Sequence, residues 1–212
     1  MVSFEDAFGD MPLIAILRGL PADCAIKTGT ALFEAGFRII EVPLNSTGAL
    51  ESIELLSAHL GDEVLIGAGT VVDAVDVRRV ADRGAQIIVA PNLNPKVGRA
   101  TRDAGLIWCP GIMSPTEAFS ALDQGADVLK VFPAELVPPD VISAMKTVLP
   151  ADSKMVAVGG VTADVMQAYV LRGTDGFGLG SGLYKPVYEL SDVKSRALNY
   201  VSVMKRLSAQ TL

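Results

Sequence analysis

The sequence predicts a closed parallel (β/α)8 barrel, the TIM-barrel architecture of the α/β class, formed by a single domain over residues 1–212. Short apolar runs alternate eight times with segments of helical period, which is the pattern of repeated βα units. Each run is almost continuously apolar, as strands of a parallel sheet buried on both faces are. Eight units leave no room for a second domain, so a closed barrel fits better than a doubly wound sheet.

The apolar runs are the predicted strands, and residues 1–10 form an N-terminal lead-in segment before the first of them. The strands are expected at residues 13–17, 38–42, 64–66, 86–89, 106–109, 128–131, 155–158 and 176–179. Helices are expected between them and after the last, at residues 21–34, 48–60, 73–83, 95–104, 115–124, 139–148, 162–171 and 192–207. A glycine in the left-handed conformation is expected to end six of these helices, at Gly36, Gly61, Gly84, Gly105, Gly125 and Gly173.

Composition and charge limit the classes of function. Half of the residues are hydrophobic and the mean hydropathy is +0.40, so the chain can bury a large core. Cys24, Cys109 and the single His59 support neither a disulfide framework nor a Cys/His metal site. The net charge of −6 argues against a broad nucleic-acid surface but permits a small anion pocket. We therefore expect small-molecule partners.

The sequence predicts neither a membrane-spanning segment nor a signal peptide. No apolar run reaches about 18 residues, and the first ten residues include Glu5, Asp6 and Asp10, where a signal peptide would carry positive charge. These features predict a cytoplasmic protein without a membrane partner.

A barrel of this kind carries its functional groups where strands end and βα loops begin, an edge that we call the rim. Lysine, glutamate, arginine and threonine all fall there, whereas most other charged residues fall within predicted helices. The rim residues are Arg18, Glu41, Gly69, Thr70, Pro91, Asn92, Pro110, Gly111, Lys130, Gly159, Gly160, Gly180 and Ser181.

Lys130 lies at the end of the sixth predicted strand, among apolar residues and shortly before Pro133. An ammonium group held in apolar surroundings loses hydration, which favours the neutral amine. A neutral amine attacks carbonyl carbon atoms and forms Schiff bases. The alternative is that Lys130 extends from the strand end to solvent.

The other polar rim residues each have two interpretations. Glu41 follows Ile39 and Ile40 in an apolar strand, where an unpaired carboxylate is costly, so that it needs a partner or a catalytic task. Arg18 is either an ion-pair partner or the ligand of a substrate carboxylate or phosphate. Thr70 is either a substrate ligand or a cap for the helix that begins near Asp73.

Glycine-rich segments follow the last two predicted strands. Gly159 and Gly160 follow one of them, and the stretch 178–182 reads GLGSG at the end of the other. Backbone N–H groups at these two positions form the usual phosphate site of a barrel, and the alternative is two tight turns. Trp108 and Cys109 are interpreted as core residues of the fifth strand.

The motifs also occur in a recognisable order: LIAILRG, EVPLNS, GAGT, PN, CPG, LKVFP, AVGGV and GLGSGLY, between about Met11 and Tyr184. This order closely resembles the class I pyruvate aldolases that cleave 2-keto-3-deoxy-6-phospho sugar acids, the KDPG/KHG aldolase family. The resemblance implies a homotrimeric barrel that needs no metal or other cofactor. It also implies that a lysine forms a Schiff base with the keto group and that a glutamate on the second strand moves protons.

Carried over to this sequence, the resemblance implies Lys130 and Glu41 as catalytic residues. The sugar acid is the substrate, and pyruvate and glyceraldehyde 3-phosphate are the products. The resemblance further implies that the substrate-binding residues are Arg18 and Thr70 for the carboxylate, Phe132 and Pro91 against the carbon chain, Val158 near the C4 hydroxyl, and Gly159, Gly160, Gly180 and Ser181 for the phosphate.

Two positions distinguish the subtypes of this family. Gluconate-type members usually carry an arginine in the segment after the glutamate, as in EVTLRT, and a threonine before the glycine pair. This chain has Asn45 and Val158 there, which look like the galactonate type. The alternative is a gluconate-type (KDPG) or 4-hydroxy-2-oxoglutarate aldolase.

Two further classes of function fit the sequence less well. A metal-dependent aldolase or epimerase would need histidines or clustered carboxylates at the rim, and the single His59 lies near a predicted helix end. A sugar-acid phosphate binder without activity would have no need of a lysine and a carboxylate at one pocket.

Overall fold

A computed structural model describes residues 2–210, in which nine β segments form one sheet. The segments are β1 (Leu13–Ile16), β2 (Ile39–Pro43), β3 (Leu65–Gly69), β4 (Ile87–Val89), β5 (Ile107–Cys109), β6 (Gly111–Ile112), β7 (Leu129–Val131), β8 (Met155–Val158) and β9 (Gly176–Leu179). Their order in the sheet is β5-β4-β3-β2-β1-β9-β8-β7-β6, and neighbouring segments are parallel throughout. The predicted (β/α)8 barrel is confirmed.

The fifth strand of the barrel is divided, whereas the sequence predicts a single strand at 106–109. Pro110 separates β5 from β6, because proline has no backbone N–H to donate to a ladder. β5 pairs with β4, and β6 pairs with β7. The carbonyl of Pro110 still accepts a hydrogen bond from the N–H of Lys130 at 2.9 Å. The two ends of the sheet are thereby joined.

Nine helices accompany these strands within residues 2–210. They are α1 (Phe4–Asp10), α2 (Ala22–Ala35), α3 (Ala49–Leu60), α4 (Ala74–Ala81), α5 (Pro95–Asp103), α6 (Pro115–Asp123), α7 (Pro139–Lys146), α8 (Met166–Val170) and α9 (Leu190–Ser208), with a short 3-10 turn at Ala134–Leu136. None of the helices in this part of the chain combines the length and apolar character needed to cross a membrane.

Two details of the helix prediction are wrong. The helix predicted at 162–171 contracts to α8, which begins only at Met166. Gly61 has φ −62°, not a left-handed conformation, since the chain continues through a right-handed turn in which Val64 donates to the carbonyl of Leu60 at 2.9 Å. The other five glycines have positive φ, as predicted.

The barrel has two hydrophobic cores. The larger one lies between the strands and the surrounding helices, and includes Leu129, Val131 and Ile40. The smaller one fills the barrel interior with inward-facing side chains of alternate strand positions, among them Ile39 and Val128. The lead-in segment forms α1, whose buried side chains join this inner core and close the end of the barrel opposite the rim.

Candidate active site

Strand alternation places Lys130 and Glu41 inside the barrel. Val128 and Phe132 belong to the inner core, so Lys130, which lies between them with the same parity, also faces inward. Ile39 places Glu41 inward in the same way. A Cβ atom at Gly69 on the neighbouring strand would overlap the carboxylate of Glu41, so only glycine leaves room for this side chain.

Glu41 is a buried carboxyl group that lacks a full set of partners. Its exposed fraction is 2%, and Oε2 has no hydrogen-bond partner within residues 2–210. Burial raises the pKa of Glu41 from 4.5 to about 7, although the positive charges of Lys130 and Arg18 oppose the shift. A carboxyl group in this state can release or accept a proton near neutral pH.

Lys130 is buried beside this carboxyl group, with an exposed fraction of 6%. Burial lowers the pKa of Lys130, while the electrostatic effect of Glu41 opposes the shift. The Nζ atom lies 4.7 Å from the ring centroid of Phe132. The structure therefore favours a desolvated amine over a lysine that extends into solvent.

Cys109 is a third ionisable group in the inner core. It is fully buried, and burial raises the pKa of its thiol to about 12, so it stays protonated. Trp108, the preceding residue, faces the outer core. Both are core residues, as the sequence predicts.

Arg18 follows β1 at the rim and is exposed. Its Nη1 atom donates to the Oδ1 atom of Asn45 at 2.5 Å, and the N–H of the adjacent Gly19 donates to Oγ of Ser46 at 2.8 Å. The side chain of Asn45 thus holds the guanidinium group of Arg18. The positive charge of Arg18 also acts on both buried groups. It lowers the pKa of Lys130, which favours the neutral amine, and it lowers the pKa of Glu41, which favours the carboxylate.

A cavity of about 690 Å³ opens at the rim above these groups. Seven of the predicted site residues line it: Arg18, Phe132, Val158, Gly159, Gly160, Gly180 and Ser181. The charged side chains on its wall are Arg18, Lys185 and Arg196 against one carboxylate, Glu135. An excess of positive charge in a protein of net charge −6 indicates a site for an anion.

The glycine segments leave backbone groups accessible at this cavity. Gly159 and Gly160 have φ values of 109° and 63°, which favour glycine over residues with a Cβ atom. A Cβ atom at Gly180 would meet no atom within 4 Å, so there is open space beside it. These positions can accept a bulky anion close to the backbone.

The remaining predicted site residues do not line this cavity. Lys130 and Glu41 lie beneath it in the barrel interior, and Phe132 connects them to it. Thr70 and Pro91 follow β3 and β4 on another part of the rim, and both are half-buried. Thr70 has φ 57°, a strained value for a residue other than glycine. Such strain is concentrated at functional sites.

Several cavity residues are missing from the sequence prediction. They are Ile16, Gly19, Glu135, Val161, Thr162, Tyr184, Lys185, Pro186, Tyr188 and Arg196. Those from Tyr184 onward lie in the chain between β9 and the second turn of α9, beyond the strand ends on which the prediction relies. The concentration of basic and aromatic residues at 184–196 is the signal that was available.

Among residues 2–210, no group of three or more His, Cys, Asp and Glu side chains is arranged to hold a metal ion. The groups that the site presents are an amine, a carboxyl group and an anion cavity.

Known proteins resemble this chain in sequence and in fold. The family model for KDPG and KHG aldolases matches residues 5–192. A probable 2-dehydro-3-deoxy-6-phosphogalactonate aldolase of Rhizobium meliloti (strain 1021) is 44% identical over 189 residues, 89% of each chain. The 2-dehydro-3-deoxy-6-phosphogalactonate aldolase of Escherichia coli (strain K12) is 41% identical over 195 residues, 92% of this chain and 95% of that protein.

A solved structure described as native KDPGal superposes on this fold with a TM-score of 0.92. It is 40% identical in sequence, and the match covers 94% of this chain and 97% of that one. The chain therefore belongs to the KDPG and KHG aldolase family and is a carbon–carbon lyase.

Proposed function

We propose that this chain is a class I aldolase that cleaves 2-dehydro-3-deoxy-6-phosphogalactonate into pyruvate and D-glyceraldehyde 3-phosphate. The observation that carries this proposal is a buried amine and a buried carboxyl group, Lys130 and Glu41, in one barrel interior below an anion cavity. Their pKa values are shifted toward neutrality from opposite sides. Such pairs are typical of sites that need both a nucleophile and a proton carrier. The identity of the substrate is inferred from two similar proteins, which are both named as 2-dehydro-3-deoxy-6-phosphogalactonate aldolases.

The reaction begins when the neutral amine of Lys130 attacks C2 of the keto acid. The keto oxygen takes up a proton, and the resulting carbinolamine loses water to give a protonated imine. Glu41, directly or through a water molecule, moves protons between nitrogen and oxygen during these steps. The imine then accepts electrons from the bond that breaks next.

Cleavage requires a base at the C4 hydroxyl group. The ionised Glu41 takes that proton, the C3–C4 bond breaks, and its electron pair moves toward the imine nitrogen to form an enamine. The aldehyde product leaves as glyceraldehyde 3-phosphate. A proton then returns to C3 of the enamine, and water hydrolyses the imine to release pyruvate and the free amine of Lys130.

The binding residues follow the shape of this substrate. Arg18 and Thr70 hold the carboxylate, Arg18 through the planar fork of its guanidinium group. Phe132 packs on the pyruvyl carbon atoms beside Lys130, and Pro91 shapes the opposite wall. The C4 hydroxyl group lies near Val158, which has no hydrogen-bonding group to offer it.

The phosphate occupies the far end of the cavity, against the backbone N–H groups of Gly159, Gly160, Gly180 and Ser181. Positive charge on the cavity wall supports this placement, as does the open space beside Gly180. We also propose that the protein is a homotrimer and that it is cytoplasmic, as the sequence suggests.

Reduction with borohydride in the presence of pyruvate tests the Schiff base. We expect intact-mass spectrometry to detect one reduced pyruvyl adduct per chain, and peptide mapping to place it on Lys130, because this amine is the one that the barrel interior desolvates. Omitting pyruvate is the control. An adduct on another lysine, or none at all, would sink the assignment and favour a binder without activity.

Epimer preference tests the galactonate assignment against the gluconate alternative. We expect a higher kcat/KM for the galactonate epimer than for the gluconate epimer, the preference that the names of the two similar aldolases suggest. Val158 has no hydroxyl group through which the site could favour the gluconate epimer at C4, as a threonine would. Val158→Thr should raise the gluconate-to-galactonate ratio by roughly two- to tenfold, the value of one hydrogen bond.

Val148→Thr is the matched control for this substitution, since Val148 is 57% exposed and does not line the cavity. It should leave the ratio unchanged. A wild-type enzyme that prefers the gluconate epimer would support the alternative function instead.

A further inference from the structure

The loop Gly180–Gly182, which we call the phosphate loop, has all its carbonyl groups occupied. The carbonyl of Gly180 accepts from the N–H groups of Leu183 and Tyr184, both at 2.9 Å. The carbonyl of Ser181 accepts from the hydroxyl of Tyr188 at 3.4 Å, and that of Gly182 from Nη1 of Arg196 at 3.1 Å. The last two bonds come from side chains outside the loop.

The N–H groups of the phosphate loop differ from its carbonyl groups in their hydrogen bonding. Those of Ser181 and Gly182 donate to no acceptor within residues 2–210. A turn whose carbonyl groups are bonded and whose N–H groups are free presents donors to an anion. The carbonyl contacts of Tyr188 and Arg196 therefore help to determine which groups the loop offers to a ligand.

Tyr188 and Arg196 also contact each other. The guanidinium carbon of Arg196 lies 4.5 Å from the ring centroid of Tyr188, and Nζ of Lys185 lies 5.6 Å from the same centroid. A cation over an aromatic face is attracted by the electron-rich face of the ring, which favours this position. Arg196 belongs to α9 and Tyr188 to the segment before it, so this pair links the helix to the phosphate loop.

We propose that Arg196, stacked on Tyr188, is a positioning residue that fixes the phosphate loop and makes the enzyme selective for a phosphorylated aldehyde. It acts through its hydrogen bond to Gly182 and through its positive charge on the cavity wall. This inference rests on the proposed function, since the phosphate is that of the substrate.

The test compares two aldehydes in the addition direction, D-glyceraldehyde 3-phosphate and D-glyceraldehyde, each with pyruvate. For Arg196→Gln we expect kcat/KM for the phosphorylated aldehyde to fall about tenfold or more, mainly through KM, which is the effect of losing a hydrogen bond from a charged group. The value for D-glyceraldehyde should not change. Arg196→Lys should recover part of the loss, because an ammonium group keeps the charge and one donor.

Arg206→Gln is the matched control, because Arg206 lies exposed on the same helix and does not line the cavity. It should behave as the wild type toward both aldehydes. Tyr188→Leu is a second, independent variant, which removes both the stacking surface and the hydroxyl group, and it should show the same selective loss.

Equal losses for the two aldehydes in both Arg196→Gln and Tyr188→Leu, or no loss in either, would overturn the positioning role. A wild-type enzyme that does not favour the phosphorylated aldehyde would instead refute the phosphate site of the proposed function, and with it this inference. The pyruvate adduct on Lys130 is independent of the phosphate, so that measurement separates a failure of the phosphate site from a failure of the aldolase chemistry.

Discussion

Lys130→Met is expected to abolish aldol cleavage, with kcat/KM falling by roughly 10⁴ or more, the size of loss that follows removal of a covalent nucleophile. Methionine has nearly the length of lysine and suits the apolar surroundings of Val128 and Phe132, so the barrel should remain folded. The borohydride-trapped pyruvate adduct should disappear as well. Steady-state kinetics and intact-mass spectrometry measure these two effects on one preparation.

Lys154→Met provides the comparison, because the Nζ atom of Lys154 lies 5.8 Å from the ring centroid of Phe4, on the side of the barrel away from the rim. This variant should retain both cleavage and the adduct. If Lys130→Met kept either property, a different residue would have to be the nucleophile.

Glu41→Gln should reduce kcat by roughly 10²–10⁴, the usual contribution of a general acid–base group. Glutamine has nearly the same shape and still fits beside Gly69, so the loss reflects the missing proton transfer and not a cavity. The step near pH 7 that Glu41 gives to the pH profile of the wild type should be absent in the variant. An unchanged kcat would remove Glu41 from the mechanism.

The same substitution has a predictable effect on stability. The pKa of Glu41 is about 7 in the folded protein against 4.5 ordinarily, so the folded state binds more protons between these two values. The wild type therefore loses stability as the pH rises from about 4.5 to 7, and the glutamine variant does not. In urea unfolding, the variant should gain up to about 3 kcal/mol relative to the wild type at pH 8, and much less at pH 5.

Glu63→Gln, at an exposed carboxyl group, controls for the general effect of removing one negative charge. A difference between Glu41→Gln and the wild type that stayed constant from pH 5 to pH 8 would contradict the raised pKa. A gain in stability together with a loss of turnover would indicate that this carboxyl group is retained for function at a cost to the fold.

Most of the barrel and the two buried ionisable residues inside it could be predicted, because the sequence pattern of each βα unit agrees with the fold as a whole. Apolar runs and glycine-ended helices specify the βα units, and parallel strands then place all their carboxyl ends at one rim. Lys130 and Glu41 could be identified because each is an isolated charge within an apolar strand, where burial without a task is costly. The Oε2 atom of Glu41, which has no hydrogen-bond partner in the described part of the chain, agrees with that argument.

The parts that could not be predicted depend on contacts between distant segments. Pro110 marks where the fifth strand breaks, but the pairing of β6 with β7 instead of β4 depends on which strand this segment meets, and no local pattern records this. Arg196 lies on an exposed helix turn, where a charged residue ordinarily needs no explanation. Only the folded chain brings it to the carbonyl of Gly182.

Helix α1, which reads as a lead-in segment in the sequence, has a chemical consequence at the other end of the barrel. Phe4 and Phe8 form an apolar floor beneath the inward-facing strand residues, including Val128, which is two positions from Lys130. Since burial is the main cause of the lowered pKa of Lys130, whatever keeps water out of the barrel from below helps to hold this amine in its reactive form. The reactivity of the nucleophile is thus tuned partly from the first turns of the chain, more than a hundred residues earlier.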